Sequence, residues 1–336
     1  MTGGELRIAV IGTGAIAQII HLPVLSNLPG ARVVAVCDRD YSKAKAIAAR
    51  MDIKRVFQED EEVFASGEVD AVIICSPSHL HERQSVAALE GGKHVLVERP
   101  LAMDSGGAES VIRTAEKAGR VLMVALNNRY RPDALGVKGF AANGELGDIF
   151  SIKGAWYNRK VRPKRLTWRH QRRTAGGGAF MDLGVQVLDL CLWMVDYPQV
   201  DRVCAHVHPG ENMEVEDAAS VLLRLANGGT VSVEVTWSLF GERDLHAVRV
   251  LGTAGSASLQ PLKVYKEVEH ALLDFTPQIP QGRENAYTAS YREQLRQFVA
   301  AATGGTHQPA PREQVQLMRI VSAVYESAEK GREVRL

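Results

Sequence analysis

The first third of the chain alternates between two kinds of segment. Short apolar runs rich in β-branched residues are each followed by a longer amphipathic run, from residue 6 to about residue 125. The apolar runs are LRIAVIG, RVVAVCD, VDAVIICS, KHVLVE and RVLMVAL. Parallel strands that are covered by helices on both faces have such continuously apolar sequences. We therefore predict an α/β Rossmann domain with a doubly wound parallel sheet.

The pattern changes after about residue 145, where strands follow one another with little helix between them. The strand-like runs are GDIFSIKGAWYN, VDRVCAHVH, AASVLLRL, GTVSVEVTWS and HAVRVLG, with a hairpin signal, Asn-Gly-Gly, at 227–229. One helix, at roughly 184–195, interrupts them, and helices at about 288–303 and 312–330 end the chain. This order predicts an α+β domain with an open, mostly antiparallel sheet. We assign residues 1–126 to the first domain and 127–336 to the second, although the C-terminal helices can return to the first.

Composition limits the classes of protein to which the chain can belong. Its 336 residues are 46% hydrophobic and 24% charged, with a formal net charge of +1, which argues against binding to nucleic acid or an anionic membrane. We find no apolar stretch of 18 residues or more, no cleavage pattern after the first apolar run and no closely spaced metal ligands. Four cysteines without a CxxC pair indicate reduced thiols. We expect a cytoplasmic protein with no metal site.

A glycine motif, Gly12-Thr13-Gly14-Ala15-Ile16-Ala17, follows the first predicted strand directly and opens the first helix. In such a G-x-G-x-x-A turn the first glycine allows the tight turn, and the second lets a pyrophosphate approach the backbone. The helix N-terminus adds N–H donors to the phosphate. The motif in this strand–turn–helix context predicts a dinucleotide-binding site.

Asp38 ends the second predicted strand, in the position of the acidic residue that binds the adenosine ribose hydroxyls. Its charge favours NAD, because it would repel the 2′-phosphate of NADP. Arg39 follows directly and can hold such a phosphate, so NADP stays open as an alternative.

Several segments together resemble the Gfo/Idh/MocA family of oxidoreductases, from about residue 6 to the C-terminus. They are GTGAIA, VDAVIICSPSHLH, ALEGGKHVLVERPLA, NNRYRP, GGGAFMDLGVQ and VSAVYESAEKGREV. The resemblance implies hydride exchange between a nicotinamide cofactor and a sugar, cyclitol or related polyol. It also implies a second domain whose open sheet covers the nicotinamide and forms the interface of a homodimer or homotetramer.

The resemblance also assigns cofactor contacts to residues of this chain. The adenosine and pyrophosphate would be held by the glycine turn, from Gly12 to Ile16, and by Asp38 and Arg39. Contacts along the nicotinamide ribose would come from Ser76, Pro77, Ser78, His81 and Glu98. Trp168 and Arg169 match a pair that reaches the cofactor from the second domain, and Asn127 follows the last parallel strand, where ligands gather in such sheets.

Two family motifs are altered in this chain. The family's E-K-P reads Glu98-Arg99-Pro100, and its D-x-G-x-H reads Asp182-Leu183-Gly184-Val185-Gln186. The lysine and the histidine that usually line the reacting carbon are therefore replaced by Arg99 and Gln186.

Oxidation of an alcohol needs a base for the hydroxyl proton, with a pKa near the working pH. Arg99 stays protonated and Gln186 does not titrate, so both can orient a substrate but neither can be the base. Asp182 is the remaining titratable residue at a catalytic position of the family, although an aspartate there could also serve as a helix cap. We hypothesise that Asp182 is the base, with His170 and Tyr157 as reserve candidates.

A basic segment from Arg159 to Arg173 carries eight Lys or Arg residues and no acidic residue. It is either a solvated loop or a surface that captures an anionic substrate, such as a sugar acid or sugar phosphate. Nothing else in the chain supports a nucleic-acid patch.

Because the family lysine and histidine are replaced, two other functions stay open. One is a hydrolase or lyase that retains NAD and activates a C–H bond by transient oxidation. The other is a sensor that kept the dinucleotide fold and lost the reaction, since a fold does not by itself imply a function.

Overall fold

A computed structural model describes residues 5–161, 165–279, 284–306 and 308–336. The chain divides into two compact units. The first comprises residues up to 130 together with 284–315, and the second comprises the remaining residues.

The first unit is built on a six-stranded parallel sheet. Its strands are β1 (Leu6–Ile11), β2 (Ala31–Cys37), β3 (Arg55–Phe57), β4 (Ala71–Ile74), β5 (His94–Glu98) and β6 (Leu122–Ala125). They lie in the order β3-β2-β1-β4-β5-β6, which confirms the predicted doubly wound sheet. The chain reverses its winding direction between β1 and β4, and ligands bind at this switch point in such sheets, beyond the carboxyl ends of the strands.

Helices connect these strands and cover the sheet. They are α1 (Leu22–Leu25), α2 (Tyr41–Arg50), α3 (Asp60–Ala65), α4 (His81–Glu90) and α5 (Ser105–Ala118). Helix α1 ends a helical segment that begins at residue 15 and contains the π-helical turn Ala17–His21. The Asp40 side chain caps α2 by accepting a hydrogen bond from the Lys43 amide, and Asp104 caps α5 in the same way. The core beneath them consists of strand residues such as Ile8, Val10 and Leu96, all fully buried.

The second unit contains a nine-stranded sheet and several helices. In chain order its elements are α6 (Pro132–Ala142), β7 (Ile149–Arg159), α7 (Arg172–Ala175), α8 (Val185–Trp193), β8 (Val200–Pro209), β9 (Glu216–Leu225), β10 (Thr230–Leu239), β11 (Leu245–Gly252), β12 (Gly255–Leu259), β13 (Lys263–Val268) and β14 (Ala271–Asp274). The helix α9 (Ala286–Ala302) follows and belongs to the first unit, and α10 (Glu313–Lys330) and β15 (Val334–Arg335) end the chain.

The large sheet has the order β14-β13-β12-β11-β7-β10-β9-β8-β15. Its β7 and β10 strands are parallel and the other described pairs are antiparallel, as the sequence predicted for a mostly antiparallel sheet. The predicted hairpin at 227–229 joins β9 to β10, and the Leu225 amide donates to the Gly229 carbonyl across it.

Helix α8 packs closely on one face of this sheet. An added Cβ at Gly154 on β7 would lie 2.4 Å from Cγ1 of Val187 and 2.8 Å from Sγ of Cys191, so only glycine allows this approach. The opposite face of the sheet carries polar side chains, including Lys153 and Arg249.

The helical stretch Arg172–Trp193 is long and apolar enough to cross a membrane by length and composition alone. Within the protein, 89% of its apolar window is buried, as in the core helix of a folded unit.

Candidate cofactor and active site

The glycine turn after β1 has the geometry that a dinucleotide needs. Gly12 has a φ of +85°, and an added Cβ there would lie 2.8 Å from the backbone of Cys75 and Ser76. At Gly14, by contrast, no heavy atom lies within 4 Å of an added Cβ. The turn therefore offers open space beside Gly14, next to helix N–H groups that lack intrahelical partners. The residues present fit a pyrophosphate group.

Asp38 is tied to this turn through its carboxylate. Oδ2 accepts hydrogen bonds from the amide (2.8 Å) and the hydroxyl (2.7 Å) of Thr13, and it lies 2.8 Å from Nζ of Lys43. Burial raises the pKa of Asp38, but these partners outweigh burial, and the net shift is downwards. The carboxylate is therefore anionic near neutral pH, as ribose binding requires. Arg39 is exposed beside it, and Lys43 is a second nearby cation that the sequence did not reveal.

Ser76, predicted to lie along the nicotinamide ribose, is oriented by buried polar groups. Its hydroxyl donates to Oε1 of Gln84, whose amide donates to Asp60. Pro77 follows, and buried Ser78 begins the short 3₁₀ turn Ser78–Leu80.

His81 connects two of the predicted cofactor segments. Its ring is buried, with Nδ1 2.7 Å from the carbonyl of Pro100 and Nε2 2.9 Å from the carbonyl of Ser76. Burial lowers the pKa of His81. The ring therefore lies between the loop after β4 and the loop after β5, and in its neutral form its single N–H donates to one of the two carbonyls.

Glu98 forms a buried ion pair or hydrogen bond with His21, in the π-helical turn of the first helical segment. Their Oε1 and Nε2 atoms are 2.8 Å apart, and the His21 ring meets the Tyr291 ring edge to face. Burial raises the pKa of Glu98, but the hydrogen bond to His21 and the charge of Arg99 contribute to a net lowering. The altered E-R-P motif thus keeps a charged carboxylate, and His21 is its partner that the sequence did not reveal.

Asn127 offers a buried acceptor at the carboxyl end of β6. Its Nδ2 donates to Oγ of Ser290 at 2.9 Å, whereas its Oδ1 is buried without a hydrogen-bond partner in the described parts of the chain. An unpaired buried carbonyl costs free energy, and a ligand N–H would satisfy it.

In the second unit, four predicted residues come together. Asp182 lies in the π-helical turn Phe180–Gly184, and its Oδ1 accepts a hydrogen bond from Nη1 of Arg169 at 3.1 Å. Nε2 of Gln186 donates to the backbone carbonyl of Asp182 at 2.9 Å. The Arg169 guanidinium also stacks over the Trp168 ring, 4.7 Å from its centroid. Asp182 therefore lies inside the helical turn and pairs with a cation.

The reserve candidates have other partners. The Tyr157 hydroxyl donates to Glu234 at 2.6 Å, and burial together with Glu234 raises the pKa of Tyr157 to about 12. Tyr157 also differs from Gly154 by an odd number of residues, so it lies on the sheet face opposite α8. Nδ1 of His170 accepts a hydrogen bond from the Thr167 amide.

A groove of about 530 Å³ borders the Trp168–His170 turn, which carries the Arg169 that pairs with Asp182. We call it the loop groove. Its polar and aromatic lining residues are Asn158, Arg159, Lys160, His170, Glu211, Asn212, Asp217, Trp237, Ser238 and Asp244.

Residues 162–164 of the basic segment predicted from Arg159 to Arg173 lie outside the described residues. The cations that line the loop groove face acidic side chains. Arg159 is 3.4 Å from Asp244, and Lys160 is 3.7 Å from Glu211. In the described ranges we find no group of three or more His, Cys, Asp or Glu side chains that could hold a metal ion.

The Rossmann sheet, the glycine turn and Asp38 together form the kind of site that binds a dinucleotide such as NAD. Residues 6–126 match the "Oxidoreductase family, NAD-binding Rossmann fold", and residues 135–258 match the "GFO/IDH/MocA C-terminal domain". The chain belongs to the GFO/IDH/MocA family, as the sequence motifs predicted.

Individual relatives agree with this assignment over nearly the whole chain. A D-glucoside 3-dehydrogenase of Escherichia coli (strain K12) is 28% identical, covering 100% of this chain and 99% of its own. An uncharacterised oxidoreductase of Rhizobium meliloti is 30% identical, with coverage of 97% and 98%. The solved structure of GenD2 from gentamicin A biosynthesis, in complex with NAD, superposes with a TM-score of 0.85 at 28% identity, covering 99% of this chain and 97% of that one.

Proposed function

We propose that the protein is an NAD-dependent dehydrogenase that oxidises a secondary hydroxyl group of a neutral sugar or related polyol. The observation that carries this proposal is the pairing of the Asp182 carboxylate with Arg169, whose chain neighbour His170 lines a groove together with polar groups and Trp237. The E. coli relative, named a D-glucoside 3-dehydrogenase, supports the substrate class.

The first unit would hold the cofactor. The open space at Gly14 and the anionic Asp38 suit the pyrophosphate and the adenosine ribose. The buried acceptor of Asn127 suits an N–H donor of the ligand. When bound, NAD⁺ supplies the hydride acceptor for the oxidation.

Asp182 would take the proton of the substrate hydroxyl onto its carboxylate as the C–H bond breaks. The Arg169 guanidinium keeps that carboxylate oriented, and Gln186 fixes the backbone carbonyl of the same residue. This arrangement supplies a base without the histidine and the lysine that are usual in the family.

The charges of the loop groove favour a neutral substrate over the acidic one that the basic segment suggested. Two cations, Arg159 and Lys160, line it together with three carboxylates, Glu211, Asp217 and Asp244. The hydroxyl groups of a sugar can donate hydrogen bonds to such carboxylates, and its apolar face can pack on an aromatic ring such as that of Trp237.

The substitution Asp182→Asn tests the proposed base. The amide keeps the size of the side chain but cannot take a proton, so we expect kcat to fall by about 10²- to 10⁴-fold. NAD affinity, measured by calorimetry, should stay at the wild-type value. Asp201→Asn, at a surface aspartate paired with Arg202, is the matched control and should leave kcat unchanged. Normal turnover by D182N would refute the assignment of Asp182.

We also propose a cytoplasmic homodimer or homotetramer. The sheet face opposite α8 has a shallow depression of about 650 Å³, lined by residues such as Lys153, Ser232 and Tyr265, that a second copy could cover. Sedimentation of the wild type against a variant with Ser232→Arg tests this interface, and an unchanged oligomer would exclude that face. The four free cysteines agree with a reducing compartment.

A further inference from the structure

The glycine turn before Asp182 is held by a buried carboxylate. Oε1 of Glu216, on β9, accepts hydrogen bonds from the amides of Gly178 (2.8 Å) and Phe180 (3.0 Å). Glu216 is only 6% exposed. These amides open the helical turn that contains Asp182, and the Asp182 amide in turn donates to the Gly178 carbonyl at 3.0 Å. The carboxylate thus satisfies N–H groups that a helix start leaves unpaired.

A tyrosine from the C-terminal helix completes this arrangement. The Tyr325 hydroxyl donates to the same Oε1 atom of Glu216 at 2.9 Å, and its ring meets the Phe180 ring edge to face. Burial and the Glu216 charge raise the pKa of Tyr325 well above its usual value, so the hydroxyl keeps its proton. Arg172 is the cation whose charge acts on this tyrosine in the opposite direction.

The packing around this pair explains the run of glycines. An added Cβ at Gly177 would lie 1.8 Å from the Tyr325 hydroxyl, and one at Gly178 would lie 1.8 Å from the Glu216 carbonyl. One at Gly184, the glycine of the D-x-G-x-Q motif, would lie 2.2 Å from the Phe180 ring. The backbone that carries Asp182 therefore has little freedom to move against the Glu216–Tyr325 pair.

We propose that Glu216 and Tyr325 are positioning residues of the active site, which hold the 176–184 turn so that the Asp182 carboxylate is placed for proton transfer. This rests on the proposed function, in which Asp182 is the base. Neither residue needs to touch the substrate, since both act through the backbone amides of the turn. The distance in sequence between Glu216, Tyr325 and Asp182 explains why no local motif reveals their connection.

Four single variants test the proposal in the full-length protein. Glu216→Ala removes the acceptor, and we expect kcat to fall by about 100-fold, the cost of a displacement near 1 Å at a catalytic group. Glu216→Gln keeps an acceptor oxygen, so its kcat should be about tenfold higher than that of E216A. Tyr325→Phe should lower kcat a few-fold. The matched control is Glu326→Gln, a surface residue on the same helix that pairs with Lys330, and its kcat should equal that of the wild type.

Two further measurements separate positioning from general destabilisation. NAD affinity should be unchanged in every variant, and hydrogen exchange of the 176–184 amides should accelerate in E216A. In a D182N background, E216A should lower kcat by less than about twofold, because residues that act as a unit are not additive. A folded E216A protein with wild-type kcat, or an equal loss in both backgrounds, would overturn the proposal.

The two proposals fail in different ways. If D182N turns over normally, Asp182 is not the base, and the exchange experiment still decides whether Glu216 holds the turn. Unchanged exchange of the 176–184 amides in E216A would then refute the positioning role independently.

Discussion

Gly12 and Gly14 lie two residues apart, but the fold requires glycine only at the first of them. Gly12 combines a positive φ with contact to the backbone after β4, so the fold itself requires it. Gly14 has no positive φ and no neighbour within 4 Å of an added Cβ. We predict that this open space receives the pyrophosphate of the cofactor, which would account for a glycine here.

This difference gives a paired prediction. Gly14→Ala should fold with a wild-type unfolding midpoint but bind NAD at least about tenfold more weakly, a loss of ~1.4 kcal/mol. Gly12→Ala should lower the unfolding midpoint, because its Cβ meets rigid backbone. Thermal unfolding and calorimetry measure both effects, and equal NAD affinity of G14A and wild type would contradict the assigned phosphate site.

His246 on β11 should make stability depend on pH. Its two ring nitrogens are buried without partners in the described structure, and burial, with the charge of Arg131, lowers the pKa of His246 from 6.5 to about 4. The unfolded chain therefore binds more protons below pH 6.5. The contribution of His246 to the free energy of unfolding has its full value above pH 6.5. As the pH drops towards 4, this contribution falls by up to about 3 kcal/mol.

The test compares urea unfolding of the wild type and His246→Gln between pH 7.5 and pH 4.5. The variant should lose less stability than the wild type across this range. His206→Gln, at an exposed position on β8, is the control and should follow the wild type. A pH dependence identical in H246Q and the wild type would show that His246 does not titrate on unfolding.

At the residue scale, the sequence indicates candidate site residues but not the residues with which they form hydrogen bonds and ion pairs. The G-x-G turn and Asp38 can be predicted because a strand and a helix fix their spacing along the chain. The sequence does not predict the roles of Lys43, His21 and Glu216, since each contacts its partner only after separate segments of the chain fold together. The charge of the basic segment alone likewise did not reveal that Arg159 lies 3.4 Å from Asp244, which comes from another loop.

At the scale of elements, Gly154 decides how closely α8 can lie on β7. We predict that Gly154→Ala destabilises the protein by about 1–3 kcal/mol, because its Cβ overlaps Val187 and Cys191. Gly139→Ala, inside α6 with nothing within 4 Å of an added Cβ, should instead stabilise by about 0.5–1 kcal/mol. Unfolding midpoints measure both, and a neutral G154A would show that α8 can shift away from β7.

Elements were predictable where their sequence is either a continuous apolar run or a regular alternation of apolar and polar residues. The parallel strands β1, β2, β4, β5 and β6 and the strands β7 to β11 all coincide with predicted runs. Strand β3 has only three residues, none of them fully buried, so its sequence carries little signal. Strands β12 to β14 are not among the predicted runs. β12 consists mainly of small residues, β13 has charged residues at three of its six positions, and β14 has only four residues, all of them exposed.

At the scale of the whole molecule, the two units carry different parts of the proposed function. The first unit has the turn, the acidic residue and the buried acceptor that suit NAD, and the second has the proposed base and the loop groove. Family membership supports this division, although the replaced lysine and histidine require that Asp182 suffice as the base. An enzyme of this kind should transfer hydride to free NAD⁺ and release NADH.

The most direct test of this account is NADH formation, followed by its ultraviolet absorbance, with purified protein and a panel of neutral sugars, glycosides, cyclitols, sugar acids and sugar phosphates. We predict steady NAD⁺ reduction with at least one neutral member of the panel, faster than with its carboxylated or phosphorylated counterpart. No reduction with any member, while NAD still binds by calorimetry, would contradict the dehydrogenase assignment.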